Sequence, residues 1–201
     1  MPNVKRKKPA GRRKATTPKP KKASGRASAR RAAPREATAN RKVTAQVGGV
    51  REGSRAPSFS LPDQAGRVVS SSSLAGKPYV LYFYPKDDTS GCTREACGFR
   101  DSLRGFGQKG VKIIGVSPDS EASHARFAGK YGLPFTLLAD TEKSLARAYG
   151  VWAKKQNYGR EYMGIVRSTF LVDKRGIVQK AWRGVRVDGH VDAVLGAAGE
   201  L

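Results

Sequence analysis

The first fifty residues lack the apolar side chains from which a folded domain builds its core. Residues 1–42 contain sixteen Lys and Arg side chains against one acid, Glu36, and so carry +15 of the chain's net charge of +23. The first aromatic residue in the chain is Phe59. Such a segment cannot bury enough apolar surface to offset the entropy lost on ordering. We therefore predict a disordered basic tail over residues 1–50 and one folded domain over residues 51–201.

The charge of the tail points to a polyanionic partner. Lys and Arg at this density neutralise phosphates and release counterions, so non-specific nucleic acid is the natural ligand of residues 1–42. No aromatic residues are interleaved with these charges, which disfavours sequence-specific reading of single strands. Two interpretations stay open, a nucleic-acid-binding arm and a solubilising tail with no specific target. Nucleic-acid binding through the tail, with the folded domain secondary, is also the alternative function for the whole chain.

Several classes of protein are excluded or disfavoured by composition. No apolar run approaches the roughly 18 residues of a membrane span, so neither an integral membrane protein nor a membrane partner is expected. The two cysteines cannot build a disulfide-stapled secreted domain, and no signal-peptide core is present. We expect an intracellular, cytoplasmic protein, for which the tail offers a possible nucleoid or nuclear address.

The remaining chain alternates between strand and helix patterns. Residues 79–84 form an apolar run rich in aromatic side chains, as in a strand buried on both faces. The other predicted elements are a helix from Thr89–Ser90 to about Phe106, a strand at 111–116, helices at 121–131 and 143–149, a hairpin of 168–172 with 177–182, and a final helix at 189–198. This order predicts an α/β fold with a mixed central sheet flanked by helices.

Cys92 follows a predicted buried strand and lies in the first turn of a predicted helix, with Thr89 or Ser90 as N-cap candidates. The free amides and the dipole of a helix start favour an anion. A thiolate is such an anion, so Cys92 is a predicted nucleophile.

Cys97 is the only other cysteine. Five residues of regular helix separate the two Cα atoms by about 7.5 Å along the axis, whereas a disulfide requires about 7 Å or less. A bond between Cys92 and Cys97 therefore requires the helix to unwind, which suits a catalytic disulfide better than a structural one. A buried, inert role for Cys97 stays open. A disulfide oxidoreductase would be expected to have Cys-x-x-Cys spacing instead.

The residues around Cys92 resemble a known family. Pro85-x-x-x-Thr89-x-x-Cys92 is similar to the peroxidatic motif of the peroxiredoxins, and the run from Gly91 to Asp101 resembles their bacterioferritin comigratory protein or peroxiredoxin Q subgroup. The likeness covers about residues 51–200. Three flanking motifs agree with it, namely Pro57-x-Phe59-x-Leu61-Pro62-Asp63, Ile114-Gly115-Val116-Ser117 and Arg167-Ser168-Thr169-Phe170-Leu171-Val172-Asp173.

This resemblance implies a thioredoxin-like fold and a thiol peroxidase. Cys92 would attack a hydroperoxide, hydrogen peroxide or organic, and become a sulfenic acid. Thr89 would hydrogen-bond the peroxide, Pro85 would shield the thiolate, and Arg167, in a strand beside the site, would stabilise the charge. Cys97 would resolve the sulfenic acid as a Cys92–Cys97 disulfide. Antioxidant defence and redox homeostasis would be its cellular role.

The resemblance also implies the partners of the reaction. Thioredoxin or a similar dithiol protein would reduce the disulfide, no metal, haem or flavin cofactor is required, and a monomer or weak dimer is expected. Among the remaining polar residues, His124 and His190 are expected at surface or capping positions. Asp87 and Asp88 are expected in a solvated turn. For Glu95, either orientation of Arg167 or a helix-start role is open.

Overall fold

The structure is a computed structural model that describes residues 49–157 and 160–201. The predicted basic tail lies outside the described residues, except for Gly49 and Val50. Val50 is 6 % exposed and belongs to the apolar core. Within the described part of the chain, no helix has both the length and the apolar character to cross a membrane.

The described chain forms nine strands, five α-helices and one 3-10 turn. The strands are β1 (Ser60–Pro62), β2 (Val68–Ser70), β3 (Tyr79–Phe83), β4 (Lys112–Ser117), β5 (Thr136–Ala139), β6 (Trp152–Asn157), β7 (Arg160–Ile165), β8 (Ser168–Val172) and β9 (Val178–Arg183). The helices are α1 (Ser90–Asp101), α2 (Leu103–Gln108), α3 (Glu121–Tyr131), α4 (Ser144–Ala148) and α5 (His190–Ala197), and the 3-10 turn is Ser71–Leu74.

Five strands form the central sheet in the order β5-β4-β3-β8-β9. The pairs β3–β4 and β4–β5 are parallel, whereas β3–β8 and β8–β9 are antiparallel. The α/β fold with a mixed sheet is therefore confirmed. Because β8 runs against β3, its first residue, Ser168, pairs with the last residue of β3, Phe83. The chain entering β8 and the chain leaving β3 consequently meet at one edge of the sheet.

The sheet is covered on both faces, as the apolar run at 79–84 predicted. All five residues of β3 are buried, and they alternate between two core clusters. Val80 and Tyr82 pack with apolar side chains of α1, α2, α3 and α5, whereas Leu81 and Phe83 pack with those of α4. Each fully buried side chain of this size contributes about 1.5–3 kcal/mol. The sheet is thus a rigid base for the loops at its edge.

Most predicted elements are present, and two differences concern the region of the site. The helical stretch predicted to reach about Phe106 is present, but it is divided at Ser102 into α1 and α2. The hairpin of β6 and β7 was not predicted at all. It leads directly into the segment before β8.

Both histidines are buried, which corrects the expectation of surface positions. His124 is 0 % exposed on α3, and His190 is 6 % exposed at the start of α5. The Nε2 atom of His190 lies 2.8 Å from Oγ1 of Thr169, and burial lowers the pKa of His190 to about 4, with Arg167 adding to the shift. Asp87 is likewise buried rather than in a solvated turn.

Candidate active site

Cys92 lies in the first turn of α1, at the sheet edge where β3 ends. Thr89 is the N-cap, with φ −92° and ψ 150°, and its carbonyl oxygen accepts the first helical hydrogen bond from the amide of Thr93. The amides of the first turn have no partner within the helix, so they and the helix dipole favour negative charge at Cys92. The Cys92 side chain is 1 % exposed and belongs to the core cluster of that face.

Arg167 is brought to Cys92 by the antiparallel pairing of β3 and β8. It lies in the link between β7 and β8, which corrects the expectation that it would lie in a strand. Its Nη2 atom donates a hydrogen bond to Sγ of Cys92 over 3.2 Å. The guanidinium side chain is only 15 % exposed, so its charge is weakly screened by water. The guanidinium of Arg167 therefore holds a fixed positive charge next to the Cys92 sulfur.

Glu95 completes this charge cluster. Its carboxylate is fully buried and accepts a hydrogen bond from Nη1 of Arg167 through Oε2, while its Oε1 has no partner among the described residues. Burial raises the pKa of Glu95 to about 7, although the charge and hydrogen bond of Arg167 pull it down. Glu95 was not among the predicted site residues. Its spacing of three from Cys92, which puts both on one face of a helix, was the available clue.

The protonation of Glu95 gives a first testable prediction. The pKa of Glu95 is about 7 in the folded chain against an ordinary value of 4.5, so between these values the folded state holds a proton that the unfolded state releases. Against a background that includes the opposite contribution of His190, whose pKa is lowered, the Glu95 contribution to the free energy of unfolding should therefore fall as the pH rises from about 4.5 to about 7. A Glu95→Gln variant should lose this dependence and gain about 3 kcal/mol relative to wild type across the interval.

Denaturant titrations of both proteins at several pH values measure this difference. Glu142→Gln is the matched control, because Glu142 is exposed. Parallel stability curves for wild type and Glu95→Gln would contradict the assignment of a raised pKa to Glu95.

The two remaining motif residues precede Cys92 in the chain. Pro85 follows the end of β3 and is half-buried. Thr89 is exposed, and its hydroxyl donates a hydrogen bond to the carbonyl oxygen of Lys86 over 3.2 Å. The loop from Pro85 to Thr89 thus joins β3 to α1, and the Thr89 hydroxyl oxygen can still accept a hydrogen bond from a further donor.

Cys97 lies in the same helix as Cys92. Both are free thiols, and Cys97 is partly exposed. Since α1 runs without a break from Ser90 to Asp101, the two Cα atoms are about 7.5 Å apart along the axis. The structure therefore brings Arg167 to Cys92, with Thr89 at the start of the same helix and Pro85 in the preceding loop, while Cys97 could bond Cys92 only after α1 unwinds.

Fold and site together indicate a thiol-dependent oxidoreductase on a thioredoxin-like sheet, with a buried cysteine that accepts a hydrogen bond from an arginine. The model of the AhpC/TSA family matches residues 53–181. The chain belongs to this family, and within it to the bacterioferritin comigratory protein and peroxiredoxin Q subgroup, which confirms the resemblance found in the sequence. It is a thiol peroxidase, and its family implies a hydroperoxide substrate and a thiol reductant.

Individual relatives support this assignment. Peroxiredoxin Bcp of Bacillus subtilis is 53 % identical over 143 residues, covering 71 % of this chain and 91 % of the relative. A putative peroxiredoxin bcp of Coxiella burnetii is 48 % identical over 147 residues, covering 73 % and 97 %. A trapped intermediate/ligand complex of the Xanthomonas campestris bacterioferritin comigratory protein, described for its alkyl peroxide reduction activity, has a TM-score of 0.68 at 44 % identity, covering 71 % and 90 %.

Proposed function

We propose that this chain reduces hydrogen peroxide and organic hydroperoxides with Cys92 as the nucleophile. The observation that carries the proposal is the hydrogen bond from Arg167 to the Cys92 sulfur at the start of α1. The thiolate attacks one peroxide oxygen, so an S–O bond forms as the O–O bond breaks. Cys92 becomes a sulfenic acid, and the leaving oxygen takes a proton to give water or an alcohol. Arg167 and the α1 amides stabilise the negative charge as it moves from sulfur to oxygen.

The proposed role of the loop is to shape the approach of the substrate. The Thr89 hydroxyl, exposed beside the start of α1, accepts a hydrogen bond from the peroxide O–H. Pro85 has no amide proton, and its ring shields the thiolate from water. Alkyl hydroperoxides are included because the Xanthomonas relative is described for their reduction.

The proposed resolving step uses Cys97. The Cys97 thiol attacks the sulfenic sulfur, which forms the Cys92–Cys97 disulfide and releases water. Thioredoxin or a similar dithiol protein then reduces the disulfide and becomes oxidised itself. Such a cycle belongs in a reducing intracellular compartment, such as the cytoplasm, where it would contribute to antioxidant defence and redox homeostasis.

A Cys97→Ser variant tests both steps of this cycle. Reduced wild type mixed with excess peroxide should consume it, lose helical circular dichroism and yield an intramolecular Cys92–Cys97 disulfide by peptide mapping. Cys97→Ser should oxidise at Cys92 at nearly the wild-type rate but stop at the sulfenic or sulfinic acid. Its turnover with thioredoxin should drop by about tenfold or more. Exclusively intermolecular disulfides in wild type would contradict the resolving role of Cys97.

A monomer or weak dimer is the proposed state of the folded domain. Among the described residues, the large apolar side chains that are exposed are Val68, Tyr162, Met163 and Leu201. A stable dimer usually requires an extended apolar interface, whereas single exposed apolar residues are ordinary surface features.

The role of the basic tail in nucleic-acid binding stays a prediction. Deleting residues 1–42 removes +15 of charge and should abolish salt-sensitive binding to DNA, while peroxidase turnover stays unchanged. Filter binding or fluorescence anisotropy over a salt series measures DNA binding, and thioredoxin-coupled consumption of peroxide measures peroxidase turnover. Equal DNA retention by the truncated protein would exclude the tail as the binding element and would place the site on the folded domain.

A further inference from the structure

A buried pair of hydrogen-bonded side chains, His124 and Asp87, ties the loop before Cys92 to helix α3. The Nδ1 atom of His124 lies 2.9 and 3.1 Å from the two carboxylate oxygens of Asp87, and its Nε2 atom lies 3.1 Å from the carbonyl oxygen of Leu138. The carbonyl oxygen of Leu138 can only accept, so Nε2 donates to it, while Nδ1 faces the carboxyl group of Asp87. His124 and Asp87 thus form a hydrogen-bonded pair in the interior.

Other donors complete the shell of Asp87. The hydroxyls of Tyr84 and Ser123 each donate to its carboxylate over 2.7 Å, and its backbone amide donates to Oδ2 of Asp119 over 2.8 Å. Burial works to raise the pKa of Asp87, but the hydrogen bond and charge of His124, with the two hydroxyls, hold it below the ordinary value. The loop residue is thus fixed through its side chain and its backbone at once.

The next residue is held by the far end of the same helix. Asp88 adopts a left-handed conformation, with φ 56°, which most side chains avoid. Its carboxylate accepts hydrogen bonds from Nζ of Lys130 over 2.7 Å and from the hydroxyl of Tyr131 over 2.5 Å. Helix α3 therefore holds two consecutive loop residues from positions two turns apart.

Helix α3 also holds the chain beyond the second cysteine. The Nη1 atom of Arg100 donates to the carbonyl oxygen of Tyr131 over 2.7 Å. Asp87 and Asp88 on one side and Arg100 on the other thus enclose the segment 89–99, which contains both cysteines.

We propose that α3 is a fixed brace for the catalytic segment, and that His124 and Asp87 are positioning residues for the peroxidase reaction. The brace keeps the loop from Pro85 to Asp88 in place while α1 unwinds, so the unwinding is confined to residues 89–99. After reduction, Cys92 refolds against a loop that has not moved. The proposal rests on the proposed function, because it assigns a role in the cycle between the thiol and disulfide states.

Two backbone amides report on the brace and on the helix separately. The Asp87 amide is bonded to Asp119, and the Thr93 amide is bonded to Thr89 in the first turn of α1. Hydrogen exchange followed by NMR on the full-length wild type, reduced and peroxide-oxidised, should show the Thr93 amide exchanging about a hundredfold faster or more after oxidation, with the Asp87 amide nearly unchanged. Equal acceleration of both amides would overturn the proposal, because the loop would then open together with the helix.

A variant test uses the reduced protein alone. His124→Gln removes the imidazole nitrogen that contacts both carboxyl oxygens of Asp87, so the Asp87 and Thr93 amides should both lose protection. The second-order rate constant for Cys92 oxidation, counted by rapid quench and alkylation, should fall about tenfold to a hundredfold because the loop is misplaced. Ser123→Ala removes one hydrogen bond to Asp87 and should give a smaller effect in the same direction, which keeps the test open if His124→Gln fails to fold.

Ser120→Ala is the matched control on the same helix. Ser120 caps α3 through the amide of Ser123, and among the described residues its side chain has no hydrogen bond to the loop, so its loss should lower the thermal midpoint but leave the Cys92 oxidation rate within about twofold. If the variants at 123 or 124 and Ser120→Ala have the same oxidation rates and the same Asp87 protection, the brace is only a structural contact and the proposal fails. Failure of the proposed function is distinct, because wild type itself would then leave Cys92 unoxidised.

Discussion

Replacing Cys92 by serine is expected to abolish peroxide consumption. A serine hydroxyl remains protonated at neutral pH and is a far weaker nucleophile than a thiolate, so the S–O bond that begins the cycle cannot form. The rate constant should fall by more than about 10⁴-fold, which is the order of loss when an enzyme's nucleophile is removed. Stopped-flow consumption of hydrogen peroxide by the reduced protein measures it. The fold should persist, because serine fits the space of the buried Cys92 side chain.

Cys97→Ser is the control for this experiment. It removes the other thiol of the chain from the same helix, yet it should leave the first oxidation of Cys92 nearly unchanged. Unaltered peroxide consumption by Cys92→Ser would contradict the assignment of the nucleophile and would direct attention to Cys97.

The parts of the fold with strong local patterns were predictable. The apolar run at 79–84 identified the central strand, and the helix predicted over 121–131 has the bounds of α3. The position of Cys92 at a helix start followed from the same local reading, because a buried strand, a turn and an N-cap candidate precede it. Local patterns suffice where neighbouring residues alone determine the conformation.

Contacts between distant parts of the chain were not predictable in the same way. The burial of His124 depends on Asp87, 37 residues away, which supplies a hydrogen-bond partner for the imidazole ring in the interior. Because the sequence does not show that Asp87 lies beside it, a histidine on a helix is expected at the surface. Glu95 was left undecided for the same reason, because its role depends on Arg167, 72 residues further on.

Arg167, in the link between β7 and β8, does not have the secondary structure that its sequence motif predicted. Residues 167–173 resemble one continuous family motif, so Arg167 was expected in a strand. In the structure the strand begins at Ser168, and Arg167 lies just before it, in the short link that follows the β6–β7 hairpin. The hairpin itself was not predicted because Lys154, Lys155 and Gly164 give it no continuous apolar or alternating pattern.

Replacing Arg167 is expected to produce the second-largest loss. Arg167→Gln removes the only charge described as hydrogen-bonded to the Cys92 sulfur, so both the thiolate and the negative charge on the departing oxygen lose their stabilising partner. The rate constant for Cys92 oxidation should fall about a hundredfold to a thousandfold. The fold should tolerate the change, because burial already raises the pKa of Glu95 to about 7 and the carboxyl can be protonated once its partner is gone.

Two further variants separate the effect of the Arg167 charge from the effects of its side-chain shape and of general stability. Arg167→Lys keeps the charge but not the planar fork that serves Cys92 and Glu95 together, so its rate should lie between those of wild type and Arg167→Gln. Arg183→Gln is the matched control, because Arg183 lies at the same edge of the sheet and binds the carbonyl oxygens of Val50 and Tyr149 rather than a thiol. It should lower stability without changing Cys92 oxidation. Equal losses in the Arg183 and Arg167 variants would mean that the arginine acts through the fold, whereas a loss confined to position 167 would place its charge in the chemical step.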